Sequence, residues 1–86
     1  MEAGRVMADL LEQMRRNPQG NWSINDVAKV CGLYGLICTA PRGGGSHYKV
    51  SHQRMPHILT IPFRRPIKPV YIRALVGYID LVRKLP

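Results

Sequence analysis

Gly43-Gly44-Gly45-Ser46-His47 is the stretch of this chain best furnished for chemistry. Imidazole is the side chain whose ordinary pKa lies nearest neutrality, so His47 is suited to exchanging a proton with a substrate. Consecutive glycines let backbone amides approach an anion closely, and Ser46 adds a hydroxyl. Arg42 stands just ahead and Lys49 two residues on. The pattern is not a nucleotide-triphosphate loop, because the required glycine spacing and a following Lys-Ser/Thr are missing, and no dinucleotide fingerprint is present. A flexible connection between strands is the plain alternative.

The histidine sits inside a basic run. From Arg42 to Arg73 lie seven of the thirteen basic residues, Arg42, Lys49, Arg54, Arg64, Arg65, Lys68 and Arg73, with all three histidines. The five acids, Glu2, Asp9, Glu12, Asp26 and Asp80, fall outside it, so the run carries seven of the eight net positive charges. A field of one sign over one region concentrates polyanions, nucleic acid foremost. Arg64, Arg65 and Lys68 fall at an expected helix start, where amide dipoles reinforce cations toward phosphate. Arg42 and Arg73 extend the track, and solvation of a helix entry is the competing reading. Only Trp22, Phe63 and four tyrosines supply aromatic rings, which argues against a surface built from stacked bases.

Joined to such a track, His47 would act on RNA by taking the proton of the 2′-hydroxyl, which then attacks the neighbouring phosphate. The products are a 2′,3′-cyclic phosphate and a 5′-hydroxyl, and no metal is required. Lys49 or an arginine would stabilise the developing charge. Lys49 and Tyr48 are the candidates for the second proton transfer.

Other chemistries fit less well. His47, His52 and His57 are spaced by five, which on strands reverses the face, and no carboxylate lies in the run, so neither a metal nor another cofactor is expected. Ser46 and His47, as neighbours on a strand, point apart and lack an orienting acid, so a serine-nucleophile triad is not expected. Cys31 and Cys38 read as reduced core residues. The N-terminal MEAGRVMADLLEQMRR mixes acids into its apolar positions, unlike a signal peptide, and no apolar run reaches membrane-spanning length. The expectation is a cytoplasmic protein that meets no membrane.

The elements that must position these groups follow from periodicity. Met7, Leu10, Leu11 and Met14 predict a helix over about residues 4 to 16. Ser23, with Asp26 three residues on, predicts a capped second helix whose buried face is Ile24, Val27, Val30 and Cys31, with Gly35 as its C-cap. Strands are expected at residues 36–39, His47 to His52 and His57 to Phe63. If Gln53-Arg54-Met55-Pro56 closes a hairpin, Val50 faces Leu59 and Tyr48 faces Ile61 on the core side. His47, Lys49, Ser51, Ile58, Thr60 and Pro62 then share the open face. Lys68-Pro69 opens a last helix with Ile72, Leu75, Val76, Ile79 and Val82 buried. The chain reads as one domain, residues 1–86, with a helical extension over 1–21 and a core over 22–86. The fold class is α+β, a three-stranded antiparallel sheet with helices packed on one face and an extra N-terminal helix.

The segment GGGSHYKVSH, followed by ILTIPFRRPIKPVYIRALVGYID, resembles the HicA family of toxins over about Ser23 to Leu81. The resemblance rests on an ordered set. It comprises an apolar helix, a short strand, Gly45-Ser46-His47 opening a second strand, an apolar third strand ending in proline, and Ile67-Lys68-Pro69 before the final helix. It implies a small fold similar to the double-stranded RNA-binding domain and metal-independent cleavage of messenger RNA that arrests translation. His47 would be the active histidine, held by Gly44, Gly45 and Ser46. Read from the basic track and the glycine turn, the expected RNA contacts are Arg42, Gly44, Gly45, Ser46, Lys49, Arg64, Arg65, Lys68 and Arg73. The implied partner is a HicB-like antitoxin, acidic on its toxin-binding face. The chain departs from short family members in its additional helix and in the proline- and glycine-rich link Pro41 to Gly45. A noncatalytic RNA-binding module, or a protein that only binds a partner, is the alternative.

Overall fold

The computed structural model describes residues 10–86. Helix α1, described over 10–16, is followed by α2 (Ile24–Leu33), β1 (Ile37–Thr39), β2 (His47–Ser51), β3 (Leu59–Pro62) and α3 (Pro69–Arg83). The strands form one antiparallel sheet in the order β1-β2-β3. This is the α+β arrangement expected from the sequence, with the helices on one side of the sheet. The expected helix over 4 to 16 is described only from Leu10 onward, and Met7 lies outside the described residues.

Local chemistry sets each boundary. Ser23 and Asp26 form a capping box: the Ser23 amide donates to Asp26 Oδ2 at 2.9 Å, and the Asp26 amide to Ser23 Oγ at 3.4 Å. At the other end of α2 the C-cap is Tyr34, and Gly35 is the residue beyond it, in the left-handed region at φ 73°. The Leu36 amide then turns back to the Cys31 carbonyl at 2.9 Å. That bond ends the helix and delays the strand to Ile37, one residue later than expected. Pro69 occupies the first turn of α3, where its missing N–H costs nothing.

The β2–β3 register is the expected one: Val50 pairs with Leu59, Lys49 with Thr60, Tyr48 with Ile61 and His47 with Pro62. The strands are shorter than expected at the turn. The Met55 amide donates to the His52 carbonyl at 2.9 Å, and the His52 ring accepts from the Arg54 amide, so residues 52–58 form the loop.

Val50 and Ile61, both fully buried, meet Ile72, Leu75 and Ile79 of α3 and Val27 and Val30 of α2 in one apolar cluster. Leu11 and Met14 of α1 are fully buried in the same cluster. Arg15 fastens α1 to α3 with two 2.8 Å hydrogen bonds to the Asp80 carboxylate and reaches Glu12 at 3.2 Å. Those cationic contacts hold Asp80 below the ordinary carboxylate range. The N-terminal helix therefore braces the core. Cys31 is buried and Cys38 half-buried, both as free thiols, and burial pushes the Cys31 thiol up to about 12. No helix among the described residues is long and apolar enough to cross a membrane.

Candidate functional site

A type I′-like turn delivers the histidine to the sheet. The Gly45 amide donates to the Arg42 carbonyl at 3.1 Å, and the two residues between them have φ of 55° (Gly43) and 79° (Gly44). Both positions need glycine, because L side chains in that region collide with their own backbone. The stretch has a defined shape, unlike the flexible connection that was its alternative reading. A Cβ at Gly45 would lie 3.0 Å from Pro41 Cβ, so the glycine also admits close packing.

His47 is the first residue of β2 and stands exposed on the open face of the sheet. Cross-strand pairing puts Thr39 beside Lys49 and Lys49 beside Thr60. Thr39, Ala40, Pro41, Arg42, His47 and Lys49 line a concavity of about 210 Å³. The expected His47–Lys49 pairing on the open face is thus present, and Arg42 folds back to join it.

Ser46 and His47 differ from expectation. Ser46 Oγ lies 3.0 Å from His47 Nδ1, so the two side chains meet rather than point apart. If Nδ1–H donates to the hydroxyl, Nε2 is left as the acceptor nitrogen; if the hydroxyl donates, Nε2 carries the proton. No carboxylate among the described residues hydrogen-bonds to His47, so a serine-nucleophile triad is still incomplete. Among the described residues there is also no group of three His, Cys, Asp or Glu side chains arranged to hold a metal ion.

The other two histidines are engaged elsewhere. His52 accepts the Arg54 amide at 3.1 Å and shapes the β2–β3 turn. The His57 ring stands edge-on to Tyr78 with centroids 5.2 Å apart, and Tyr78 donates its hydroxyl hydrogen to the His57 carbonyl at 2.7 Å.

The cations at the entry to α3 divide. Arg64 and Lys68 line a second, smaller cavity of about 60 Å³ with Pro62, Ile67 and Tyr71. Arg65 lies outside it and donates from Nε to Asn21 Oδ1 at 3.3 Å. Arg73 is exposed on α3 and lines neither cavity. Gly44 and Gly45 shape the turn without lining the His47 concavity. Tyr48, a candidate for proton transfer, is half-buried on the helix side against Phe63, with ring centroids 5.7 Å apart. Trp22 packs at the start of α2 and donates its Nε1–H to the Asn17 carbonyl at 2.7 Å.

Thr39 and Tyr71 are site residues the sequence reading missed. Thr39 joins through the β1–β2 register, which a seven-residue link does not determine. A signal for Tyr71 was present: it lies three residues after Lys68, on the same side of a helical turn.

Comparison of the chain with protein-family models, with curated proteins and with solved structures finds no match in any of the three.

Proposed function

We propose that the protein is a metal-independent endoribonuclease that cleaves messenger RNA, with His47 as its proton-transfer residue. The observation that carries this reading is the exposed imidazole in a concavity whose charged groups are Arg42 and Lys49. Three described acids are committed elsewhere, Glu12 and Asp80 to Arg15 and Asp26 to the cap of α2, so none opposes the cations of this face. The similarity of GGGSHYKVSH and the following strand and helix to HicA toxins gives the same reading from the sequence.

In the proposed reaction, Nε2 of His47 accepts the 2′-hydroxyl proton while Nδ1–H is held by Ser46 Oγ. The 2′-oxygen forms a bond to phosphorus, and the bond from phosphorus to the 5′-oxygen breaks. That leaving oxygen takes a proton, leaving a 2′,3′-cyclic phosphate and a 5′-hydroxyl. With Tyr48 on the helix side, we assign that proton to Lys49. Arg42 and Lys49 stabilise the charge that gathers on the phosphate oxygens. The turn through Gly44 and Gly45 fixes the approach of Ser46 and His47. Arg64, Arg65, Lys68 and Arg73 act in binding, and recognition of the 2′-hydroxyl favours RNA over DNA.

A second observation bears on a partner. Ile37, 55% exposed, is paired with Ser51, and Ile58, 58% exposed, is the loop residue just before β3. An inhibitor with an apolar centre and acidic rim would cover this end of the face and the His47 concavity together. A HicB-like antitoxin is the partner the sequence resemblance implies.

The test is incubation of purified protein with RNA in EDTA, with the product ends identified. The expected products carry cyclic phosphate and 5′-hydroxyl ends, and replacing the ribose at the cleaved position with deoxyribose stops the reaction. Cleavage that persists on the deoxyribose substrate, or no cleavage of RNA that is tightly bound, would reject the mechanism in favour of another nuclease chemistry or a binding module.

A further inference from the structure

The cavity beside β3 has a composition that calls for an anion. Arg64 and Lys68 offer only donors, and the Tyr71 hydroxyl can add another. Neither Arg64 nor Lys68 makes a hydrogen bond or ion pair with another side chain among the described residues, whereas Arg15 is saturated by carboxylates and Arg65 is turned to Asn21. Pro62 and Ile67 wall the space with carbon, so charge on its contents is answered by those donors.

Its location ties it to the histidine. Pro62 is the direct cross-strand partner of His47, and adjacent strands are about 5 Å apart. The Phe63 amide also binds the Ser46 carbonyl at 2.6 Å, fixing the end of β3 against the approach to His47. The two cavities therefore flank one paired step of the sheet, His47 opening to one and Pro62 to the other. A nucleic-acid strand carries one phosphate per nucleotide, so a backbone that crosses from His47 toward Pro62 brings a further phosphate toward this cavity.

We infer that the Pro62–Arg64–Ile67–Lys68–Tyr71 cavity is a second phosphate subsite, holding the phosphate adjacent to the one at His47. The inference rests on the reading of this face as an RNA-binding one and adds a polarity to it. Only the phosphate on one side of the bond at His47 is held by Lys68 and Tyr71, so the strand lies across the sheet in one direction.

Three deoxydinucleotides test this without relying on catalysis: dUpU, the same molecule with an added 5′-phosphate, and the same molecule with an added 3′-phosphate. None has the 2′-hydroxyl needed for cleavage, so affinity is read apart from chemistry. Amide shifts are followed by NMR in EDTA. One of the two phosphorylated molecules is expected to bind about tenfold tighter than dUpU, the scale of a charge-assisted contact, with shifts at Lys68 and Tyr71. That gain is lost in Lys68→Gln and reduced in Tyr71→Phe, while Lys49→Gln weakens all three ligands by a similar factor. Equal gains for both phosphorylated molecules, no gain or no saturable binding, or a gain that survives Lys68→Gln in a folded protein would overturn the subsite. RNA cleavage by the wild type is judged separately: no cleavage with the gain intact rejects the enzyme and keeps the subsite.

Discussion

Val50 and Lys49 are neighbours on β2, yet one is fully buried and the other exposed beside His47. The same three strands thus present two unlike faces. The helix-facing side carries Val50 and Ile61 with half-buried Cys38, Tyr48 and Leu59, and its partners are apolar. The open side carries Ile37, Thr39, His47, Lys49 and Thr60, with cations that no described acid neutralises. Alternation lets a short sheet turn an apolar side to the helices and a basic side outward. The division also explains where the acids went: Glu12 and Asp80 serve the contact of α1 with α3, behind the sheet.

Substitutions should therefore separate by face. The largest effect on folding is expected for Ile61→Ala, which empties a fully buried position and costs about 2–5 kcal/mol of stability. Denaturant unfolding measures this, and a loss under 1 kcal/mol would mean the core face is looser than described. Gly44→Ala should act at the border between the faces. Its φ of 79° becomes strained, at about 1–2 kcal/mol, and the turn that aims Ser46 and His47 shifts. Chemical shifts confined to the turn and the start of β2, with α3 unchanged, would sharpen the comparison; changes spread through the core would break it.

The smallest effect is expected behind the sheet. Asp80→Asn should cost about 1 kcal/mol or less, since the Arg15 pair is partly exposed. The Arg15 guanidinium lowers the Asp80 pKa, so the stability it contributes is present above the ordinary carboxylate range and is lost as pH falls through the depressed value. Melting temperatures of wild type and Asp80→Asn should differ near neutral pH and converge in acid. A difference that is constant with pH would remove the ion pair as its cause.

Much of this division was legible in the residues. A hairpin centred on residues 53–56 and strict alternation set Tyr48 against Ile61 and placed His47 with Lys49, as observed, although the loop itself spans 52–58. Ser23 with Asp26, and Pro69, announced two helix starts through purely local chemistry. What was hidden depends on contacts distant in sequence. Arg64 and Arg65 look equivalent in the chain, but the segment between β3 and α3 is held where the Ile67 amide donates to the Trp22 carbonyl at 2.9 Å, and Arg65 then meets Asn21. The approach of Ser46 Oγ to the His47 ring is a contact between chain neighbours that strand alternation alone does not reveal.

The central claim is that reactivity lies on the open face, at His47. Metal-free RNA cleavage by His47→Ala, beside wild type and with thermal unfolding of both, tests it most directly. The account predicts that the variant unfolds at the wild-type temperature, because His47 is exposed, and that cleavage falls by about 10²–10⁴-fold, the range for loss of a general acid–base group. Cleavage by the folded variant at the wild-type rate would contradict it.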